Sequence, residues 1–228
     1  MVIRVVAEGG VAKQQNALPE DKKKVIAQNS AALREALNKF FKEAIGIDNL
    51  EIRIILGESW VKSTRKFLDT KNDADYLYVD LDRSPEKKSD WFRQFKSRPF
   101  PKDKEQFVFF WIQEMEAWFL KQPDSIEKWA AQEGYTLNKG ESIAEDSSIK
   151  ELDIEHLNKP SKVLKDIFHG HLFYLDKDSH PIPLSYGKLK HAPGIIECLD
   201  PKKMITQDME LDTFVRNVNT KSTTINQQ

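Results

Sequence analysis

Residues 75–82 read Asp75-Tyr76-Leu77-Tyr78-Val79-Asp80-Leu81-Asp82, an apolar, aromatic run that ends in two carboxylates one residue apart. Aromatic and β-branched residues favour a buried strand here, and Arg83-Ser84-Pro85 stops it. On an extended backbone residues i and i+2 point to the same side, so Asp80 and Asp82 are expected to converge at the strand's carboxyl end. In open α/β sheets ligands sit at that end. Two such carboxylates repel unless a positive charge lies between them, and a hydrated divalent cation is the usual solution. The competing reading is a strand end whose aspartates cap the next helix or face solvent.

Outward from this strand, the pattern alternates. Residues 2–7 are rich in β-branched side chains and end in Glu8-Gly9-Gly10, a strand followed by a tight turn. Residues 18–44 carry apolar side chains at helical spacing, with Pro19 in the first turn and Gly46 just past the end. Residues 51–56 form a second strand stopped by Gly57, and residues 60–68 a second helix. After the 75–82 strand come a helical or irregular segment at 85–96, a strand at 106–112 and a helix at 114–121. Strands separated by helices imply crossover connections and a largely parallel sheet covered by helices. Beyond Pro123 no strand is expected, only helices at 126–132, 159–168, 187–199 and 207–218, a polar loop at 134–148 and a frayed end from Asn219. The fold expected is an α/β, Rossmann-like core with a mostly parallel four-stranded sheet over residues 1–122, followed by a helical C-terminal extension over 123–228 packed on it.

Composition bounds the function. The chain has 228 residues, 39% of them hydrophobic and 31% charged, which is ordinary for a soluble globular protein. A single cysteine, Cys198, rules out an internal disulfide and fits a reducing compartment. The N-terminus turns acidic too soon for a signal peptide, and the longest apolar run, 107–112, is far below a membrane span. A cytoplasmic protein without membrane attachment is expected. No phosphate-binding loop and no Gly-x-Ser-x-Gly elbow is present, which argues against an ATPase or a serine hydrolase. His156, His169, His171, His180 and His191 lack the spacing of a zinc site.

Other acids complete the candidate site. If the first and third strands are neighbours, Glu8 stands beside Asp80 and Asp82, a cluster suited to Mg²⁺ or Mn²⁺. Glu114 and Glu116 follow the fourth strand; one is expected to join the cluster, and Glu116 is preferred. Residues 83–104 hold eight Lys or Arg against Glu86, Asp90 and Asp103, a local charge of +5 in a chain whose formal charge is -1. Lys87, Lys88, Arg93, Lys96 and Arg98 could neutralise phosphates while Trp91, Phe92, Phe95 and Phe100 offer faces to bases. The plainer reading is an amphipathic helix with aromatics inward and a solvated basic face.

The pairing of Glu8-Gly9 after the first strand with Asp80-x-Asp82 after the third resembles a Toprim domain, the metal-binding fold of topoisomerases, primases and overcoming-lysogenization-defect nucleases. Gln113-Glu114-Met115-Glu116-Ala117-Trp118-Phe119-Leu120 and the later Tyr186-Gly187-Lys188-Leu189-Lys190-His191-Ala192 resemble the Toprim-like domain-of-unknown-function family numbered 4276. That family is often encoded beside ATPases in bacterial defence regions. The resemblance implies a Mg²⁺-dependent nuclease acting in antiphage defence with an ABC-type or AAA ATPase partner, and leaves an oligomer open. It implies Glu8 as acid/base or metal ligand, Asp80 and Asp82 as metal ligands and Glu116 as completing the site. Lys188 would offset charge at the reacting phosphate, and Lys188 and His191 would contact phosphate or brace the extension. After Gly10 the chain reads Val11-Ala12-Lys13-Gln14-Gln15-Asn16, without the further acid many relatives place there. A non-catalytic regulatory or nucleic-acid-binding subunit is therefore the alternative. Asp80-Leu81-Asp82-Arg83-Ser84 also resembles the haloacid-dehalogenase motif, with Asp80 as nucleophile and Asp82 as acid/base, but no strand offers that class's later acidic pair.

Overall fold

A computed structural model describes residues 1–10, 19–95, 99–138 and 141–225. The core strands are β1 (Val2–Glu8), β2 (Glu51–Gly57), β3 (Tyr76–Asp80) and β4 (Val108–Trp111). They pair in the order β2-β1-β3-β4, and every pairing is parallel. The connections run through α1 (Glu20–Ile45), α2 (Trp60–Leu68) and α3 (Lys88–Arg93). The protein is therefore α/β with a Rossmann-like core, and its sheet is wholly parallel.

Alternation along the strands sorts the core into two layers. Ile3, Val5, Ala7, Ile54, Tyr76, Tyr78, Phe109 and Trp111 face the layer built around α1. Val6, Leu77, Val79, Val108 and Phe110 face the opposite layer, with Phe67, Trp91 and Phe100. Both faces are buried, which is why the strands read as continuous apolar runs. The α1 helix stops at Gly46, whose φ of 67° lies in the left-handed region that ends helices.

The C-terminal half comprises α4 (Glu116–Lys121), α5 (Pro123–Gln132), α6 (Pro160–His171), α7 (Lys188–Cys198), α8 (Pro201–Gln207) and α9 (Met209–Ile225). Most of the expected helices are present, with two corrections. A second, antiparallel sheet joins β5 (Thr136–Leu137), β6 (Leu172–Leu175) and β7 (Pro181–Pro183), where no strand was expected. The α9 helix also continues through the region expected to fray. The extension covers the first layer: Phe214 of α9 sits 5.2 Å from Phe41, 5.3 Å from Tyr76 and 5.2 Å from Phe109, ring centre to ring centre.

Candidate active site

The carboxyl ends of β1, β3 and β4 define the site. Glu8 ends β1 and Asp80 ends β3, and Glu8 Oε2 accepts a hydrogen bond from the Asp80 backbone N–H at 3.1 Å. Gly9 and Gly10 follow with φ of 118° and 103°, a turn that side-chain-bearing residues rarely adopt. Beyond the strands the ladder continues irregularly. Leu81 N–H donates to Trp111 O at 2.9 Å and Asp82 N–H to Gln113 O at 2.7 Å. This continuation turns Asp82 into the left-handed region, with φ of 55°. The expectation that Asp80 and Asp82 lie on one extended strand is thereby corrected. Asp80 is nearly buried at the strand end, whereas Asp82 stands exposed at the rim.

After β4 the chain enters α4, whose first residue, Glu116, is 1% exposed. Tyr186 OH donates to Glu116 Oε1 at 3.2 Å. The other acid of this segment, Glu114, turns away: its Oε2 accepts from Ser161 N–H in the first turn of α6 at 2.7 Å. Met115 N–H donates to Asp80 Oδ1 at 2.8 Å.

The first residue of α7, Lys188, reaches into this group of acids. Its Nζ lies 3.1 Å from Asp80 Oδ2 and 3.1 Å from Glu116 Oε2. The Lys188 ammonium is the group that faces Glu116 Oε2. The Lys188 ammonium thus lies between Asp80 and Glu116, and no ion pair joins it to Asp82 among the described residues.

Electrostatics follow from burial. Desolvation and then the charge of Asp80 push the Glu8 carboxyl up to about 8, against the opposing pull of Lys188. Burial likewise raises Asp80, Asp82 and Glu116, with Lys188 opposing each. Burial works against the Lys188 ammonium, but Asp80 and Glu116 outweigh it and hold its pKa above the usual lysine range. Two of these four acids, Asp80 and Glu116, contact the one ammonium, so the four together carry an excess of negative charge when ionised.

Sequence reasoning gave Tyr186 no role, although it lies two residues before Lys188. It fixes Glu116. The described residues among those proposed for nucleic acid differ in their surroundings. Lys87 is exposed, and Arg93 is exposed with a 2.9 Å ion pair to Asp90. Lys88 is committed instead to buried Glu210, 2.6 Å away. His191, 2% exposed, is packed among Trp129, Phe168 and Tyr186, and its Nδ1 accepts from Gly187 N–H at 3.0 Å. It braces the turn before Lys188 and cannot touch a phosphate from there. Lys96 and Arg98 lie outside the described residues. The interleaved aromatics Trp91 and Phe100 point inward to the second layer of the core, as the amphipathic reading has it.

A family model described as Domain of unknown function (DUF4276) matches residues 27–219. The chain belongs to this family. The DUF4276 match takes in Asp80, Asp82, Glu116 and Lys188 and begins inside α1, so Glu8 lies outside it. Neither a curated protein nor a solved structure matches the chain.

Among the described residues, the group of three metal-ligating side chains whose ligand atoms all lie within 4.8 Å of one another is Asp176, Asp178 and His180. It belongs to the β6–β7 hairpin, where Asp176 Oδ1 already accepts from Asp178 N–H and His180 N–H. At the strand ends the oxygens of Asp80 and Glu116 are arranged around the Lys188 ammonium instead. Their chemistry still suits a hard divalent cation: the candidate ligands Glu8, Asp80, Asp82 and Glu116 are all carboxylates, and their charge when ionised exceeds that of Lys188. No helix among the described residues is long and apolar enough to cross a membrane.

Proposed function

We propose that this DUF4276 protein is a Mg²⁺- or Mn²⁺-dependent nuclease that hydrolyses nucleic-acid phosphodiesters. We propose further that it has a Toprim-like core and acts as an antiphage-defence effector with an ATPase partner. The observation that carries the reading is the delivery of Glu8, Asp80 and Glu116 to one group at the carboxyl ends of parallel strands. Asp80, Asp82 and Glu116 would hold the cation, with Glu8 beside them. Such a cation, when bound, polarises a phosphate oxygen and lowers the pKa of a bound water. The protein supplies the rest. Asp80 N–H fixes Glu8 Oε2, which leaves Oε1 to take or give the proton of the reacting oxygen. Lys188 offsets negative charge at the phosphate. Lys87 and Arg93, exposed on the segment after β3, are two of the described basic residues that could hold the flanking backbone. The defence setting and the ATPase rest on the family resemblance alone.

The ion pair of Lys188 with Asp80 and Glu116 favours a second reading, in which the ammonium satisfies the acids permanently and the chain is a non-catalytic subunit of an ATPase complex. Cleavage of plasmid DNA, single-stranded DNA and tRNA with Mg²⁺ or Mn²⁺ separates the two. Wild type is expected to cut at least one substrate, and Asp80→Ala to lose about 100-fold or more of that rate. No cleavage by wild type, alone or in a stable complex with its ATPase, would sink the nuclease reading.

A further inference from the structure

The three partners in the Lys188 ion pair differ in freedom. The Asp80 side chain is 10% exposed and tied by Met115 N–H. The Glu116 side chain is 1% exposed and tied by Tyr186 OH. The Lys188 side chain is 34% exposed, on a flexible four-carbon stem, and among the described residues its ammonium makes ion pairs only to these two carboxylates. It also stands at the amino end of α7, where the helix dipole disfavours a cation. The carboxylates are fixed, and the ammonium is the member that can leave.

We propose that Lys188 is a resident counter-ion that a divalent cation displaces from between Asp80 and Glu116, and that the freed ammonium then pairs with a phosphate of the substrate. This rests on the metal-dependent reading above. A divalent cation brings two positive charges where the ammonium brings one, so the exchange better compensates four acids. Linkage makes the effect reciprocal: a phosphate that captures Lys188 favours the cation, and the cation favours the phosphate. The site then stays closed by its own lysine until the cation arrives, and the phosphate holds the lysine away.

Mn²⁺ binding to the full chain, followed by electron paramagnetic resonance, tests the exchange. Lys188→Met is expected to bind Mn²⁺ about tenfold tighter than wild type, and Lys188→Arg, which keeps a cation, to stay within about twofold of it. A second measurement needs only the wild type, in case Lys188→Met fails to fold. Reductive methylation of Lys188, read by peptide mass spectrometry, should rise on adding Mn²⁺. It should fall again when a phosphorothioate oligonucleotide is added with the Mn²⁺. Equal Mn²⁺ affinities together with labelling that Mn²⁺ leaves unchanged would overturn displacement while leaving the metal reading intact. Labelling that rises with Mn²⁺ but ignores the oligonucleotide would overturn the phosphate half. Absence of Mn²⁺ binding in wild type and both variants overturns the metal reading and this inference together.

Discussion

His191 is a buried histidine with one ring nitrogen accepting a backbone hydrogen bond and the other, Nε2, without a partner. Acceptance at Nδ1 places the proton of the neutral ring on Nε2. Burial, and then the nearby charge of Lys190, lower its pKa from 6.5 to about 4. The folded protein therefore holds the ring neutral at pH values where an unfolded chain would protonate it. Its contribution to stability is complete above pH 6.5 and is lost as the pH falls from 6.5 towards 4, where the loss levels off. The loss amounts to about 3 kcal/mol at most. Urea denaturation of wild type and His191→Gln at several pH values checks this. Wild type should be the more stable at neutral pH, and the gap should narrow between pH 6.5 and 4. A gap that is constant with pH would show that the ring is not held neutral. At this scale Asp82 is the residue that the sequence misplaces. The i, i+2 argument needs an extended backbone, and the hydrogen bond from Asp82 N–H to Gln113 O, with φ of 55°, removes it.

The α9 helix is attached to the sheet's edge by a side chain rather than by a strand. Glu210 Oε2 accepts from Phe110 N–H in β4 at 3.2 Å, and Oε1 accepts from Lys88 Nζ of α3 at 2.6 Å. One carboxylate thus covers an edge-strand donor and ties α9, on one side of the sheet, to α3 on the other. Glu210→Ala should cost about 2–3 kcal/mol, because it leaves a buried N–H without an acceptor. Glu210→Gln, which keeps an acceptor for Phe110 N–H, should recover half of that loss or more; equal losses in chemical denaturation would discount the hydrogen bond. None of this is legible from spacing, since the partners are 100 and 122 residues apart. The four core strands were legible, because each is an apolar run and three of them end at a glycine or an acid, at Glu8-Gly9, Gly57 and Asp80. The second sheet was not. β5 is two residues long, β7 is Pro181-Ile182-Pro183, and β6 begins where α6 ends, so none shows the alternation that marks a strand. Of the candidate site, Glu8 and Asp80 could be found from strand ends alone. Lys188 was reached only through family resemblance, because its place 108 residues from Asp80 is set by how α7 packs on the core.

At the scale of the whole molecule, the question is whether residues 1–122 can stand without the rest. The face of the sheet under α1 is aromatic, with Tyr76, Tyr78, Phe109 and Trp111 side by side, and Phe214 of α9 packs against the first three. The α7 helix packs along α1, and one continuous apolar cluster runs from Ile3 to Val218. Polar ties cross the same boundary. Buried Asp208 accepts from Trp118 Nε1 at 2.8 Å and from Lys121 Nζ at 2.9 Å, and Lys121 also reaches Glu155 at 2.8 Å. Removing residues 123–228 would expose that aromatic face and leave the Lys121 ammonium and the Trp118 indole N–H without partners. It would also take away Lys188, leaving Asp80 and Glu116 without their counter-charge. A 1–122 fragment should therefore show no cooperative thermal transition and should bind an apolar dye. Co-expression with a 123–228 fragment should restore both cooperativity and low dye binding. A sharp melting transition in the 1–122 fragment alone would instead make the N-terminal half an independent domain, and would mean that the extension was added to a sheet already stable by itself.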